Sequence, residues 1–124
     1  EGAGADALSL INTLTGMRIN IRTRRPVLRN NTGGLSGPAV FPVALRMVWQ
    51  AHSRVKIPIV GLGGISTWQD VVEMLLAGAS AVQVGTVLFS DPHAPVRILK
   101  GLQTYLKENS IASVPELTGQ VRPW

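Results

Sequence analysis

The stretch "IPIVGLGGIS", residues 57–66, joins an apolar segment to a turn with glycine at 61, 63 and 64. The apolar part lacks a polar face, which is typical of a strand covered on both sides in a parallel sheet. Because glycine has no Cβ, its backbone N–H can approach a ligand closely, and consecutive N–H groups bind anions. A helix N-terminus nearby adds partial positive charge. The stretch therefore predicts a phosphate site where a buried strand ends.

Strand and helix patterns alternate on both sides of this stretch. They predict strands at 5–12, 57–64 and 81–89, helices at 42–55, 67–79 and 94–110, and a long loop before the first helix. This order indicates an α/β fold with parallel strands and right-handed crossovers. A closed (β/α)8 TIM barrel needs eight strands and roughly 250 residues, so the chain is either a small open sheet or three-eighths of a barrel.

A second glycine site, Gly85-Thr86, follows the third predicted strand, and Thr86 adds a hydroxyl donor. Carboxyl ends of neighbouring parallel strands lie side by side, so we expect this site and Gly63-Gly64 to flank one point. Loops after strands seven and eight commonly hold a phosphate in such barrels. Loop glycines are often only turns, but two such sites separated by one helix favour phosphate binding.

Composition narrows the class of protein. The chain has 124 residues, of which 45% are hydrophobic, and this suits one domain with a packed core. No apolar run approaches the ~20 residues that cross a bilayer, and no export signal is evident, so we expect a cytoplasmic protein without membrane contact. We expect the chain to be part of a longer protein. It has no cysteine, and its two histidines lack metal-ligand spacing, so no metal site is predicted.

Basic residues are concentrated in "RINIRTRRPVLRN", residues 18–30, within the long loop. A solvated loop is the simplest interpretation, and an anionic ligand or an acidic partner is the alternative. Aromatic side chains and known fold signatures of nucleic-acid binding are missing from the segment, so we do not expect nucleic acid as a partner.

Five segments together resemble the carboxyl-terminal part of dihydroorotate dehydrogenase, nearly end to end. They are "LINTLTGM", "NNTGGLSGPAVFPVALRMV", "IPIVGLGGI", "DVVEMLLAGASAVQVGTVLF" and "VPELTG". The combination of "INTLTGM" with "GGLSGPA" is specific, whereas "GGI" and "GT" recur in many flavin and phosphate barrels. The nearest subclass is class 1B, in which a catalytic subunit works with an electron-transfer subunit. The resemblance implies an FMN-binding TIM barrel, of which residues 1–124 supply the last three βα units, strands six to eight.

The resemblance also implies roles for residues at the predicted strand ends and in the long loop. It implies contacts with FMN or its phosphate for Ile11, Gly37, Gly63, Gly64, Gly85 and Thr86. It implies hydrogen bonds to the pyrimidine substrate for Asn12 and Thr13, and an asparagine amide offers such a ring both a donor and an acceptor. The alternative is an Asn-Thr pair that only satisfies backbone groups at a strand end.

The activity implied is oxidation of (S)-dihydroorotate to orotate in pyrimidine synthesis. A base takes a proton from C5 while hydride passes from C6 to the flavin N5. In class 1 enzymes the base is a cysteine in the first half of the protein, where a flavin-side lysine also lies. Neither is present here, so we assign no catalytic residue and expect these residues alone to be inactive. The implied partners are a second copy and a subunit carrying FAD and an iron–sulfur cluster.

Two alternatives stay open. One is another phosphate-binding barrel enzyme, an isomerase or synthase, although a phosphate-only site does not require "LSGPA" or "INTLTG". The other is a non-catalytic barrel fragment whose exposed edges pair with another copy or aggregate.

Overall fold

Strands and helices alternate along the chain, which confirms the predicted α/β class. The computed structural model describes residues Glu1–Trp124. In chain order the elements are β1 (Leu8–Leu10), β2 (Leu14–Gly16), β3 (Ile19–Asn20), β4 (Arg25–Pro26), β5 (Gly33–Leu35), α1 (Phe41–His52), β6 (Ile59–Leu62), α2 (Trp68–Leu76), β7 (Ala81–Gln83) and α3 (Ala94–Glu108). Short 3-10 helices lie at Pro38–Val40, Thr86–Phe89 and Val114–Leu117. None of the helices is long and apolar enough to cross a membrane.

The central sheet is parallel and has the order β1-β6-β7. Ser9 pairs with Val60, and Leu62 pairs with Gln83. The backbone N–H of Ile11 donates to the Leu62 carbonyl at 2.9 Å, which extends the contact beyond β1. The three strands therefore end at one edge of the sheet, as the alternation of elements predicts.

One face of this sheet packs against the helices and forms the core. Ile59 is 1% exposed, and Met74 of α2 is fully buried. A Cβ on Gly61 would lie 3.1 Å from the sulfur of Met74 and 3.2 Å from the Cβ of Ala79, so α2 sits close against β6. Val71, Val72, Met74 and Leu75 of α2 are buried. Burying a side chain such as Met74 stabilises the fold by roughly 1.5–3 kcal/mol.

The opposite face of the sheet is open. Because side chains alternate along a strand, Ser9, Val60, Leu62, Ala81 and Gln83 point away from α2. Ala81 and Gln83 of β7 are exposed, while Val60 and Leu62 of β6 are half-buried. The prediction that the strand at 57–64 is covered on both sides therefore holds here for one side only, since no element of residues 1–124 packs on the open face.

Strand ends differ from the sequence prediction. The first two strands are shorter than predicted, and the third ends at Gln83 instead of continuing to residue 89. Gly85 has φ −134° and ψ −79°, and this ψ takes the backbone out of the extended conformation. Thr86–Phe89 consequently form a 3-10 helix, whereas the residue composition "VGTVLF" favours a strand.

The predicted long loop is folded as an antiparallel arm, which we define as residues 14–35. β2 pairs with β5, and β3 pairs with β4. At the tip, the side-chain Oδ1 of Asn20 accepts hydrogen bonds from the backbone N–H groups of Arg22 at 3.0 Å and Thr23 at 3.2 Å. This asparagine turn fixes the tip without a hydrophobic core.

Candidate functional site

A cavity of about 500 Å³ lies at the edge where the three central strands end. Its wall comes from four segments: the chain after β1, the loop before α1, the turn after β6 and the chain after β7. All predicted site residues line it, namely Ile11, Asn12, Thr13, Gly37, Gly63, Gly64, Gly85 and Thr86. The fold thus brings together residues that are widely separated in sequence.

The turn after β6 contributes two glycines in left-handed backbone conformations, with φ 125° at Gly63 and 77° at Gly64. A Cβ on Gly63 would lie 2.8 Å from the Cβ of Ala44, and one on Gly64 would lie 2.6 Å from the Gly37 carbonyl oxygen. Both positions therefore require glycine. The backbone N–H groups of Gly63 and Gly64 donate to no protein acceptor, so they are available to a ligand.

The chain after β7 contributes a second set of donors. The N–H groups of Gly85 and Thr86 likewise have no protein acceptor, because they begin the 3-10 helix whose first internal acceptor is the Gly85 carbonyl. A Cβ on Gly85 would meet nothing within 4 Å, so this backbone is open to approach. Thr86 faces Gly37 across the cavity, and a Cβ on Gly37 would lie 3.7 Å from Cγ2 of Thr86.

The N-terminus of α2 lies next to the cavity, and its own side chains accept hydrogen bonds from backbone N–H groups there. Thr67 is the N-cap, and its Oγ1 accepts the N–H of Asp70 at 3.2 Å. Oδ2 of Asp70 accepts the N–H groups of Ser66 and Thr67, each at 2.8 Å. This capping box satisfies the N–H groups of Ser66, Thr67 and Asp70 and places a carboxylate at the helix N-terminus. The carboxylate of Asp70 thus offsets part of the positive charge that the helix N-terminus is expected to add.

Asn12 and Thr13 lie at the rim of the cavity, and both are exposed. Oδ1 of Asn12 accepts the backbone N–H of Thr13 at 2.8 Å. This is the bond expected if the pair only satisfies a strand end. The amide nitrogen of Asn12 has no protein acceptor and can still donate to a bound molecule. Thr13 Oγ1 lies so close to Gly34 that a Cβ on this glycine would collide with it.

Further polar residues line the cavity that the sequence analysis does not identify, among them Ser36, Ser66 and Gln83. Gln83 could have been predicted, because it lies two residues before Gly85 and alternate residues of a strand share one side of the sheet. Ser66 directly follows the glycines of the β6 turn, and its hydroxyl donates to the Gly64 carbonyl at 3.2 Å. Ser36 has no comparable signal, since its place depends on the arm.

Every side chain that lines the cavity is uncharged at neutral pH. An anion bound there would be held by backbone N–H groups and hydroxyls, with no acidic side chain in the wall to repel it.

Outside the cavity, a hydrogen bond from Arg97 lowers the pKa of Asp91 below its ordinary value of 3.8. A hydrogen bond from the backbone N–H of His93 lowers this pKa as well.

Comparison with known proteins gives a consistent match. A family model described as dihydroorotate dehydrogenase matches residues 1–106. The chain is 64% identical over 117 residues to the protein named dihydroorotate dehydrogenase B (NAD(+)), catalytic subunit, of Geotalea uraniireducens, covering 94% of the chain and 38% of that relative. Relatives of the same name from Trichlorobacter lovleyi and Parabacteroides distasonis are 59% and 56% identical over 119 residues, covering 96% of the chain and 39% of each relative. The chain thus spans less than two-fifths of these relatives.

Proposed function

Since this chain belongs to the dihydroorotate dehydrogenase family, we propose that it is part of an oxidoreductase subunit that converts (S)-dihydroorotate to orotate with bound FMN. The observation that carries the proposal is a set of backbone N–H groups without protein acceptors at two strand ends, in residues that line one uncharged cavity. Backbone donors of this kind suit a phosphate group. Such a site accounts for glycine at positions where buried strands stop.

We propose that residues 1–124 form the carboxyl-terminal portion of an FMN-binding TIM barrel and supply strands six to eight. The central sheet supports this, because it has only three parallel strands and its outer strands each have one unpaired edge. Its open face carries small and apolar side chains, such as Ala81 and Val60, which suit the packed interior of a barrel. Further strands would pair both edges and cover this face.

The mixture of polar and apolar residues in the cavity wall supports binding of a flavin nucleotide. Gly63, Gly64, Gly85 and Thr86 would hold the phosphate through backbone N–H groups and the Thr86 hydroxyl. Ile11, which is 6% exposed, would give an apolar border to the ring, and Gly37 would let the ring system approach the backbone. When bound, the flavin supplies the two-electron acceptor chemistry that amino-acid side chains lack.

Asn12 and Thr13 are proposed to orient the pyrimidine at the rim. The free amide nitrogen of Asn12 can donate to a ring carbonyl, and rotation of the side chain would release its Oδ1 from the Thr13 N–H. Orientation of this kind can contribute several kcal/mol to catalysis, because a correctly placed substrate has already lost its rotational freedom.

We do not place the catalytic base, which removes the proton from the substrate, in this chain. It has no cysteine, and the cavity wall contains no side chain that is a suitable base near neutral pH. We therefore expect residues 1–124 alone to be inactive, and the base to come from the rest of the protein.

The relatives are named catalytic subunit of dihydroorotate dehydrogenase B (NAD(+)), and this name implies a second subunit. We propose the same arrangement here: a homodimer of catalytic subunits with a partner that carries FAD and an iron–sulfur cluster and passes electrons to NAD⁺. A cytoplasmic location accords with this proposal.

The test is purification of the full-length protein that contains this chain. We expect a yellow protein whose visible flavin absorption is bleached by dihydroorotate in the absence of oxygen. A colourless protein that binds a sugar phosphate would instead support the isomerase or synthase alternative. The proposed phosphate ligands Gly63, Gly64, Gly85 and Thr86 are compatible with that alternative. The alternative, however, gives no role to Asn12 and Thr13.

A further inference from the structure

Gln83 is the last residue of β7, and it lines the candidate cavity. Its neighbour Val82 packs against the core. Because successive side chains of a strand point to opposite faces, Gln83 points to the open face of the central sheet. Among the strand residues on that face, Gln83 is the only polar one that lines the cavity.

The proposed barrel turns the amide of Gln83 into a buried group. The open face of the sheet becomes the barrel interior once further strands close it. A carboxamide carries both donors and an acceptor, and buried polar groups almost always have hydrogen-bond partners. Leu62, which pairs with Gln83 on β6, has no polar side-chain atom to offer, and neither has Ala81. The amide therefore needs a partner other than its neighbours in the sheet.

Gln83 lies on the side of the cavity where we place the phosphate. Two residues of chain span at most about 7 Å, so the Cα of Gln83 is within that distance of the Cα of Gly85. Its partner Leu62 directly precedes Gly63. The strand order β1-β6-β7 separates Gln83 by two strand spacings, about 10 Å, from the end of β1, beyond which Asn12 lies. The amide is thus close to the proposed phosphate ligands and distant from the proposed pyrimidine site.

We propose that the side-chain amide of Gln83 hydrogen-bonds the ribityl chain of FMN. The inference rests on the proposed function, in which the phosphate is bound at the ends of β6 and β7 and the ring is bordered by Ile11, beyond β1. The ribityl chain joins the ring to the phosphate, so it crosses the end of β6, one strand away from Gln83. Each ribityl hydroxyl donates and accepts hydrogen bonds, as an amide does.

This contact makes the site selective for flavins that carry a ribityl chain. A site that hydrogen-bonds a hydroxyl of its ligand discriminates against analogues without it, because the polar group of the site is then left unpaired. Gln83 contributes in this way to the affinity for FMN and for riboflavin, which share the ribityl chain. It contributes nothing to the affinity for lumiflavin, which has the same ring with a methyl group in place of that chain.

The experiment titrates the apoprotein of the full-length subunit with FMN, riboflavin and lumiflavin, followed by flavin fluorescence. Gln83→Met keeps the length of the side chain and removes its hydrogen-bonding atoms. We expect the Kd values for FMN and riboflavin to rise by the same factor, about tenfold, because both ligands lose the same hydrogen bonds. The Kd for lumiflavin should not rise. Gln103→Met, on α3 and outside the cavity, is the matched control and should bind all three flavins like the parent protein.

The pattern across the three flavins identifies the part of the ligand that Gln83 contacts. Weaker binding of all three would mean that Gln83 acts on the ring or on the fold, and weaker binding of FMN alone would assign it to the phosphate. Unchanged Kd values would mean that its amide is paired within the barrel. Each of these three results would overturn the proposal.

A second variant keeps the test valid if Gln83→Met does not fold. Gln83→Ala removes the amide without placing a longer apolar side chain in the barrel, and the same pattern is expected. The parent protein reports on the proposed function separately. A parent protein that binds neither FMN nor riboflavin would refute the proposed function and the role of Gln83 together, whereas tight FMN binding that is insensitive to Gln83 would refute only the latter.

Discussion

The carbonyl oxygen of Gly37 lies over Gly64, at 2.6 Å from the position that a Cβ on Gly64 would take. The loop before α1 and the turn after β6 are therefore in direct backbone contact, and no side chain fits between them. The backbone conformation of Gly64, with φ 77°, also favours glycine. The sequence motifs "GGLSG" and "GLGG" thus form one wall of one cavity.

This contact predicts that Gly64→Ala destabilises the full-length subunit by about 1–3 kcal/mol, through its left-handed backbone and the crowding by Gly37. Urea unfolding measures the change, and flavin content should fall with it. Gly2→Ala is the control, because a Cβ on Gly2 would meet nothing within 4 Å. Equal stability of the two variants would show that the two segments are not packed as described.

Thr86 tests the phosphate site without disturbing the backbone. Thr86→Val removes the hydroxyl but keeps the shape of the side chain, so we expect FMN affinity to fall by about 1.5–3 kcal/mol, the contribution of a hydrogen bond to a charged group. Fluorescence titration of the apoprotein gives the affinity. Thr86→Ser keeps the hydroxyl and should bind FMN nearly as tightly as the parent.

Titration with riboflavin separates the effect on the phosphate from the effect on the ring, since riboflavin carries the same ring without the phosphate. Its affinity should be the same in Thr86→Val and in the parent protein. If Thr86→Val weakened both ligands equally, the hydroxyl would act on the ring or on the fold, and the assignment of Thr86 to the phosphate would be wrong.

The capping box of α2 predicts a stability effect that is independent of the flavin. Thr67→Ala removes the acceptor of the Asp70 N–H and should cost about 1 kcal/mol of unfolding free energy, as N-cap substitutions typically do. Thr67→Ser should retain most of the stability. A loss confined to FMN binding, with normal urea unfolding, would mean that these donors serve the ligand and not the helix.

The pair Asp91 and Arg97 predicts a pH effect at acid pH. Arg97 lowers the pKa of Asp91 below its ordinary value of 3.8. The folded state thus binds this proton less readily than the unfolded state. The contribution to stability is present above pH 3.8 and is lost as the pH falls through the lowered pKa. The effect is small, because the pair is at the surface.

An NMR titration of the Asp91 carboxyl carbon checks this prediction. The pKa should lie below 3.8 in the parent protein and return towards it in Arg97→Gln, whereas Arg54→Gln should leave it unchanged. A pKa of Asp91 that does not respond to loss of Arg97 would contradict the hydrogen bond between them.

The sequence predicts those features that depend on neighbours along the chain. Within the helix predicted at 67–79, the spacing of five apolar residues predicts the buried face: Val71, Val72, Met74, Leu75 and Leu76. The first four are buried, and Leu76 is half-buried. Thr67, the first residue of the helix predicted at 67–79, is its N-cap. The strand-end glycines predicted a common cavity because parallel strands must end at one edge, whatever their lengths.

Features that depend on distant pairing or on single dihedral angles could not be predicted in this way. The arm is fixed by pairing of Leu14 with Leu35 and by the Asn20 turn, and neither produces an alternating pattern. The extent of the third strand was overestimated because Val and Thr around Gly85 favour strands, while the ψ of this glycine ends the strand. The role of Asp70, by contrast, has a local signal, because a Thr followed three residues later by an acidic residue before an apolar run has the spacing of a capping box.

We propose that the backbone N–H groups of Gly63, Gly64, Gly85 and Thr86 jointly hold the phosphate of FMN. The most direct measurement is the set of distances from those nitrogens to the phosphate oxygens in a crystal structure of the flavin-loaded, full-length subunit. We predict N···O distances of about 2.7–3.2 Å to donors from both strand ends. A phosphate bound elsewhere, or held by only one of the two strand ends, would contradict the account.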